Sequence, residues 1–315
     1  MTSPSAATQM GLREWSLLLL LSVLWGASFF LFKVLVAELP TLTIVLARVL
    51  LAAILLHLVM LARRQAMPMD AKRWREFFIM GFLNNALPFV LLVWAETKIS
   101  GGLASILNAT TPVFSVLAAH FYTANEKLNW YKGIGVCFGL LGVLILIGPS
   151  ILVGAGGDQV LPELAVLFTA LVYAIAGMYG RRFRDLPPLA VATGQLTASS
   201  LMLIPLTLLV DHPWNLPSPS AHTWQALLCL AVFSTALAYI IYFRILASAG
   251  ATNVMLVTLL VPISAIMLGV VFLHETFTTQ AFAGMCLIAV GLAAIDGRLP
   301  AAVRRKFNRR PTCAP

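Results

Sequence analysis

The side chains that could do chemistry in this sequence are few, and they stand inside apolar surroundings. Asn108-Ala-Thr-Thr-Pro112 gathers an amide, two hydroxyls and a proline within five residues. Thr258 and Pro262 stand about 150 residues later in a similar setting. Asn84 and Asn85 precede Pro88, and Arg48 interrupts an otherwise apolar stretch. A proline removes a backbone donor and frees the carbonyl one turn earlier, so an amide or hydroxyl beside it marks a polar kink. In hydrocarbon such groups need partners. The chemistry these residues suit is holding a polar solute, with Trp25 and Tyr173 as aromatic walls.

Bond-breaking chemistry finds little support. His274-Glu275 lacks the second histidine of a zinc-protease helix, and no Gly-x-Ser-x-Gly run occurs. Asp70, Asp158, Asp185, Asp211 and Asp296 stand apart, so no cluster suits magnesium. No nucleotide loop is present, and neither a cofactor nor a metal is expected. The chain is expected not to be an enzyme.

The elements that must position these residues follow from composition. Of 315 residues 60% are hydrophobic and 10% charged, too few charges to solvate a globule of this size. Apolar runs of about 20 residues, the length that spans a bilayer, recur along the chain. They predict ten helices at 14–35, 41–61, 75–95, 101–122, 130–149, 162–180, 188–210, 222–246, 251–273 and 278–296. Trp15–Phe32 is too long for a signal peptide and is read as an uncleaved first helix.

The net charge of +9 does not imply nucleic acid, because 18 of the 21 Lys and Arg fall in alternate loops and the tail. Lys33 and Lys98 lie on the opposite side, and Arg48 within a helix. This bias puts both termini in the cytoplasm of a cell inner-membrane, multi-pass protein. Cys137, Cys229 and Cys286 fall inside apolar runs and Cys313 near the end, so all four read as filler.

The sequence repeats itself. Trp25, Lys33 and Pro40 match Tyr173, Arg181 and Pro188; Pro112 matches Pro262; Glu126, Gly135 and Gly142 match Glu275, Gly284 and Gly291. Five helices per half turns the second half upside down, an inverted repeat as in secondary transporters. The expected organisation is a cytoplasmic N-terminus (1–13), a first repeat (14–152), an external linker (153–161), a second repeat (162–297) and a basic cytoplasmic tail (298–315). Leu196 stands where Arg48 would recur, so the halves are not equivalent.

Trp25-Gly-Ala-Ser-Phe29, Pro40 with Arg48, Asn108–Pro112 and Glu126 before Gly133-Ile-Gly135, with Pro262, Glu275 and Gly284 in repeat, resemble the drug/metabolite transporter superfamily, EamA type. The resemblance runs from residue 14 to 297. It implies ten helices, a cavity between halves, and movement of small metabolites, often outward.

Residue by residue, alternatives stay open. Arg48 either meets an anion in the cavity or ties helices together. The expected substrate contacts are Trp25, Arg48, Asn84, Asn85, Asn108, Thr111, Pro112, Tyr173, Thr258 and Pro262. Lys33 stands at an outer gate or, as is commoner, reaches headgroups. Glu96 is the nearest acidic candidate for carrying a proton and is expected at the outer interface. Glu126 and Glu275 either gate or, more commonly, cap helices and tether loops. Proton exchange and facilitated diffusion both fit. The glycines of the fifth and tenth helices allow close approach, either between halves or between the protomers of a homodimer. The partners expected are a small-molecule substrate and membrane lipid. The reading is an exporter of an amino acid-like or amphipathic compound by alternating access; the alternatives are a membrane receptor or scaffold and, last, an intramembrane enzyme.

Overall fold

A computed structural model describes residues 11–122, 130–152, 159–249, 251–254 and 256–296. The described residues form helices and no strand. The main helices, in order, are α1 (Leu12–Leu35), α2 (Thr41–Ala62), α3 (Ala71–Glu96), α4 (Gly101–Tyr122), α5 (Trp130–Leu152), α6 (Val160–Phe183), α7 (Pro188–Val210), α8 (Ala221–Ala249), α9 (Val257–Leu273) and α10 (Thr279–Asp296), with a short 3-10 turn (Pro213–Asn215) before α8 and a one-turn helix (Ala251–Val254) before α9. Among the described residues eight helices are long and apolar enough to cross a membrane, and α9 and α10 are shorter apolar helices.

Local chemistry sets the ends. Pro40 and Pro187-Pro188 lead into α2 and α7, where a missing N–H costs nothing. Asp70, Ser100 and Ser220 cap α3, α4 and α8, each accepting a backbone N–H three residues on. The outward faces are apolar: Leu19, Leu20 and Val23 on α1, Leu140, Leu141 and Leu144 on α5, and Val270, Val271 and Phe272 on α9 are exposed. Such faces suit lipid and not water. Cys137 and Cys286 are exposed on α5 and α10, so they sit on this apolar surface and not in the core where filler would be.

The helices pack in a pattern that survives exchanging residues before and after the linker. α1 packs on α9, and α6 on α4. α3 packs on α7, and α8 on α2; α3 also packs on α6, and α8 on α1. α2 pairs with α7, and α5 with α10.

The α5–α10 pair shows what the repeated glycines do. A Cβ on Gly142 would stand 2.8 Å from the carbonyl oxygen of Gly284, and one on Gly135 would stand 2.6 Å from that of Gly291. The two backbones are in contact, which only glycine permits. Of the two uses the sequence leaves open for this glycine face, the fold takes contact within one chain. Gly26 of α1 likewise lies so close to Ser264 of α9 that no Cβ fits.

Two helices widen by one residue into π-turns, Phe82–Ala86 in α3 and Val232–Leu237 in α8. The first has an evident cause: Pro88 has no N–H for the carbonyl of Asn84, and the Leu87 N–H reaches back to Phe82 instead. α8 carries no proline there, and the Thr235 hydroxyl fills its widened turn by donating to the Leu230 carbonyl at 2.8 Å.

Candidate functional site

The two π-turns face each other's neighbours across the middle of the bundle. The first turns Asn84 and Asn85 toward α7 and α8. Asn84 Nδ2 donates to Gln195 Oε1 at 3.0 Å and to the Tyr239 hydroxyl at 3.2 Å. That hydroxyl donates to Asn85 Oδ1 at 2.8 Å. Asn85 is fully buried, and its Nδ2 has no partner. A buried donor left over in this way is one a bound solute would satisfy.

Arg48 is 4% exposed. Its Nε donates to Thr235 Oγ1 at 2.9 Å, and its guanidinium lies 3.8 Å from the centre of the Phe89 ring and 5.1 Å from that of Phe32. Two aromatic faces are a favourable setting for a partly desolvated cation. Among the described residues nothing accepts from the two terminal nitrogens. Tyr173 and Tyr239 are within electrostatic reach of the guanidinium. Both readings of Arg48 thus have a basis: Nε ties α2 to α8, and the outer edge of the fork remains for an anion. Trp25 stacks obliquely on Tyr242, 5.6 Å between ring centres, and Tyr242 meets Phe243 edge-on.

Arg48, Asn84, Asn85, Tyr173 and the Trp25–Tyr242 pair therefore form one neighbourhood, completed by Gln195, Thr235 and Tyr239. Gln195 and Thr235 escape a reading by sequence repeat. Aligning Arg48 points to Leu196, which is buried in the apolar core, while its neighbour Gln195 carries the polar contact. An amide in the middle of an apolar helix was the available signal.

The proline sites behave differently from one another. α4 breaks at Ala109-Thr110, and Thr111 restarts it with its hydroxyl on the Asn108 carbonyl at 2.7 Å. Asn108 Oδ1 is buried without a partner. Pro262 lies inside α9, with Thr258 half-buried one turn before it, and a separate short helix, Ala251–Val254, precedes α9. Both spans are divided ahead of their proline, the earlier one between Asn108 and Thr111 and the later one between the short helix Ala251–Val254 and α9, so the division stands closer to Pro112 than to Pro262.

At the far end of α3, three acidic side chains tie the segments before the linker to those after it, each at a helix N-terminus. Glu275 accepts from the N–H groups of Gly101 at 3.0 Å and Gly102 at 3.3 Å. Asp211 accepts from the N–H and hydroxyl of Thr43 at 2.7 and 2.8 Å. Glu38 accepts from the N–H and hydroxyl of Ser220, both at 2.8 Å. Unpaired N–H groups and the helix dipole both favour a carboxylate there. The backbone N–H of Ser220, then its hydroxyl, hold the Glu38 carboxyl below its ordinary range.

Lys33 turns its ammonium inward, donating to the carbonyls of Glu96 at 2.8 Å and Ile99 at 3.2 Å and clamping the turn after α3. Glu96 is fully buried and not at an exposed interface. Glu126 lies outside the described residues. A cavity of about 200 Å³ opens beside Glu275, lined among others by Ser100, Leu103, Glu163 and Gln280. It is smaller than ordinary metabolite pockets. None of the Arg48 neighbourhood lines it. On the opposite end Arg73 of α3 pairs with Asp185, which follows α6, and with Glu76.

Apolar helices around a buried, multi-helix polar network define a membrane protein with a polar interior. The EamA-like transporter family matches this chain twice, at residues 13–148 and 160–295. "Uncharacterized transporter YoaV" of Bacillus subtilis is 26% identical over 86% of this chain and 92% of its own length. The "Uncharacterized inner membrane transporter YedA" of Escherichia coli K12 is 26% identical over 94% of this chain and 92% of its own. Protein PecM of Dickeya dadantii is 26% identical over 86% and 88%. A solved crystal structure shares the fold with a TM-score of 0.64 at 20% identity, over 90% of this chain and 95% of that one. The chain belongs to the EamA-like transporter family of the drug/metabolite transporter superfamily. It is a multi-pass membrane transporter of the cell inner membrane.

Proposed function

We propose that the protein exports a small metabolite bearing a carboxylate, amino acid-like or amphipathic, by alternating access. The observation that carries this is where the polar network lies. Each of its hydrogen bonds between side chains joins the first repeat to the second: Arg48 to Thr235, Asn84 to Gln195 and Tyr239, Asn85 to Tyr239. A solute bound there takes over contacts between two bodies and so favours a different packing of them, which coupling of binding to movement requires. The terminal nitrogens of Arg48 and the Nδ2 of Asn85 are the groups left for it, a fork that fits a carboxylate and a donor that fits its neighbour. Trp25 and Tyr173 form the walls.

In this reading residues 14–152 and 162–297 are inverted five-helix repeats, and α9 and α10 also cross the membrane, giving ten spans. The packing pattern that is preserved when the halves are exchanged supports it, as do the π-turns at equivalent places. Both termini are cytoplasmic, from the distribution of Lys and Arg. Asn108, Thr111, Pro112, Thr258 and Pro262 act as the bends about which α4 and α9 tilt, with Asn108 Oδ1 a further solute contact. The chain works without a cofactor or chemical step.

The test is release of labelled amino acids and related carboxylates from proteoliposomes holding the pure protein. One compound leaving faster than from protein-free liposomes is the expected result. No such compound across the panel, with or without a pH gradient, contradicts the proposal.

A further inference from the structure

Glu96 is the most unusual group in the molecule. It is fully buried, and neither carboxyl oxygen has a hydrogen-bond partner. The other acidic side chains at this end each have a partner for at least one interaction, although Glu163 Oε2 is also buried without a donor. Glu275, Asp211 and Glu38 each accept two, and Glu163 has an interaction of its own. The backbone N–H groups of Gly101, beside which Glu96 lies, and of Gly102 are taken by Glu275. Lys33 is close but spends its ammonium on the carbonyl of Glu96 and not its carboxyl.

The position is as telling as the lack of partners. A Cβ on Gly101 would stand 3.3 Å from Glu96 Oε2. Glu96 therefore lies directly behind the helix N-terminus that Glu275 holds. The charged groups that act on it are Lys33 of α1, Glu275 from the turn after α9, and Arg48 of α2. α6, which also packs along α3, brings Glu163 at its first turn and Tyr173 further on.

We propose that Glu96 is a proton-binding site that governs the mouth of the transporter at Gly101, and this rests on the alternating-access reading above. With the proton on, the neutral carboxyl fits a pocket that offers it no donor, and the Glu275 latch stays closed, as seen. When the O–H bond breaks and the proton passes to water at the mouth, the pocket holds a second carboxylate beside Glu275 and behind the same N–H groups. Like charges repel, and the anion competes for Gly101, Gly102 and the Lys33 ammonium. The latch opens and Glu96 becomes hydrated. Low pH outside thus favours closure of this end, and high pH favours opening.

Pulsed electron-electron resonance reads the mouth without any substrate, so its outcome is independent of whether transport is ever seen. Spin labels go on Thr97→Cys and Thr279→Cys, both exposed, in the full chain in lipid nanodiscs with Cys137, Cys229, Cys286 and Cys313 changed to serine. As pH rises from about 5 to about 9, a longer-distance population grows in the otherwise native chain. In Glu96→Gln, whose amide cannot ionise, the short distance persists throughout. An unchanging distance in the native chain overturns the proposal, whatever the variant does. So does an equal pH-dependent shift in Glu96→Gln, which would assign the titration to Glu275 or Glu163.

Discussion

The Nε of Arg48 donates to the hydroxyl of Thr235, 2.9 Å away, inside the π-turn of α8. The widened turn is what makes the contact: it lets Thr235 satisfy the Leu230 carbonyl and still accept from the guanidinium. Thr235→Val keeps the shape and removes the acceptor. A buried charged donor is then left over, and stability falls by about 1–3 kcal/mol. Thermal unfolding of the purified variant in detergent checks this, and an unchanged midpoint would show that Thr235 is not a partner of consequence.

Tyr239 holds both asparagines of the α3 kink, accepting from Asn84 and donating to Asn85. Tyr239→Phe removes two hydrogen bonds and leaves a second atom of Asn85 without a partner. A loss of about 1–3 kcal/mol in stability is expected. Efflux should fall as well, because the amide that a solute meets is no longer fixed.

The seam between α5 and α10 depends on bare backbone. Gly142→Ala puts a methyl 2.8 Å from the Gly284 carbonyl oxygen and 2.7 Å from Ile288. Overpacking of this kind costs about 1–3 kcal/mol. Gly133→Ala, on the same helix, meets nothing within 4 Å and should leave the unfolding midpoint unchanged or raised. The pair separates a packing effect from a general intolerance of the helix to substitution.

Glu38 gives a pH-dependent contact outside the membrane-spanning segments. Its carboxyl is held below the ordinary value of 4.5 by the Ser220 N–H and hydroxyl. A lowered folded value means the contact contributes above 4.5 and is lost as pH falls through the lowered one. Glu38→Gln should therefore unfold earlier than the native chain at neutral pH, with the difference vanishing in acid. A difference that grew on acidification would reverse the sign of this account.

The helices were legible because apolar length and basic loops are strong signals, and the described ends lie within a few residues of those expected, except that the ninth stretch divides into Ala251–Val254 and α9. The α3 kink could be read from Asn84, Asn85 and Pro88. Its counterpart in α8 could not, because Val232–Leu237 contains no proline or glycine to announce a π-turn. Gln195 was hidden by its register: one residue on a helix turns a side chain by about 100°, so an offset of one separates core from site. Glu96 reads as interfacial beside Thr97 and Lys98, and only the approach of Gly101 and Lys33 from other helices buries it. Pro112 and Pro262 look alike in sequence, yet the division of the helix falls right beside the first and more than a turn before the second, so the proline alone does not fix where a span divides.

The central claim is that a carboxylate-bearing solute crosses by way of Arg48. Once the panel has yielded a transported compound, the initial rate of its efflux is compared between native and Arg48→Lys proteoliposomes of equal protein content. Lysine keeps the charge but loses the planar fork and the fit against Phe89, so the rate should fall about tenfold or more. An Arg48→Lys rate equal to the native one would contradict the claim and move the site elsewhere in the bundle.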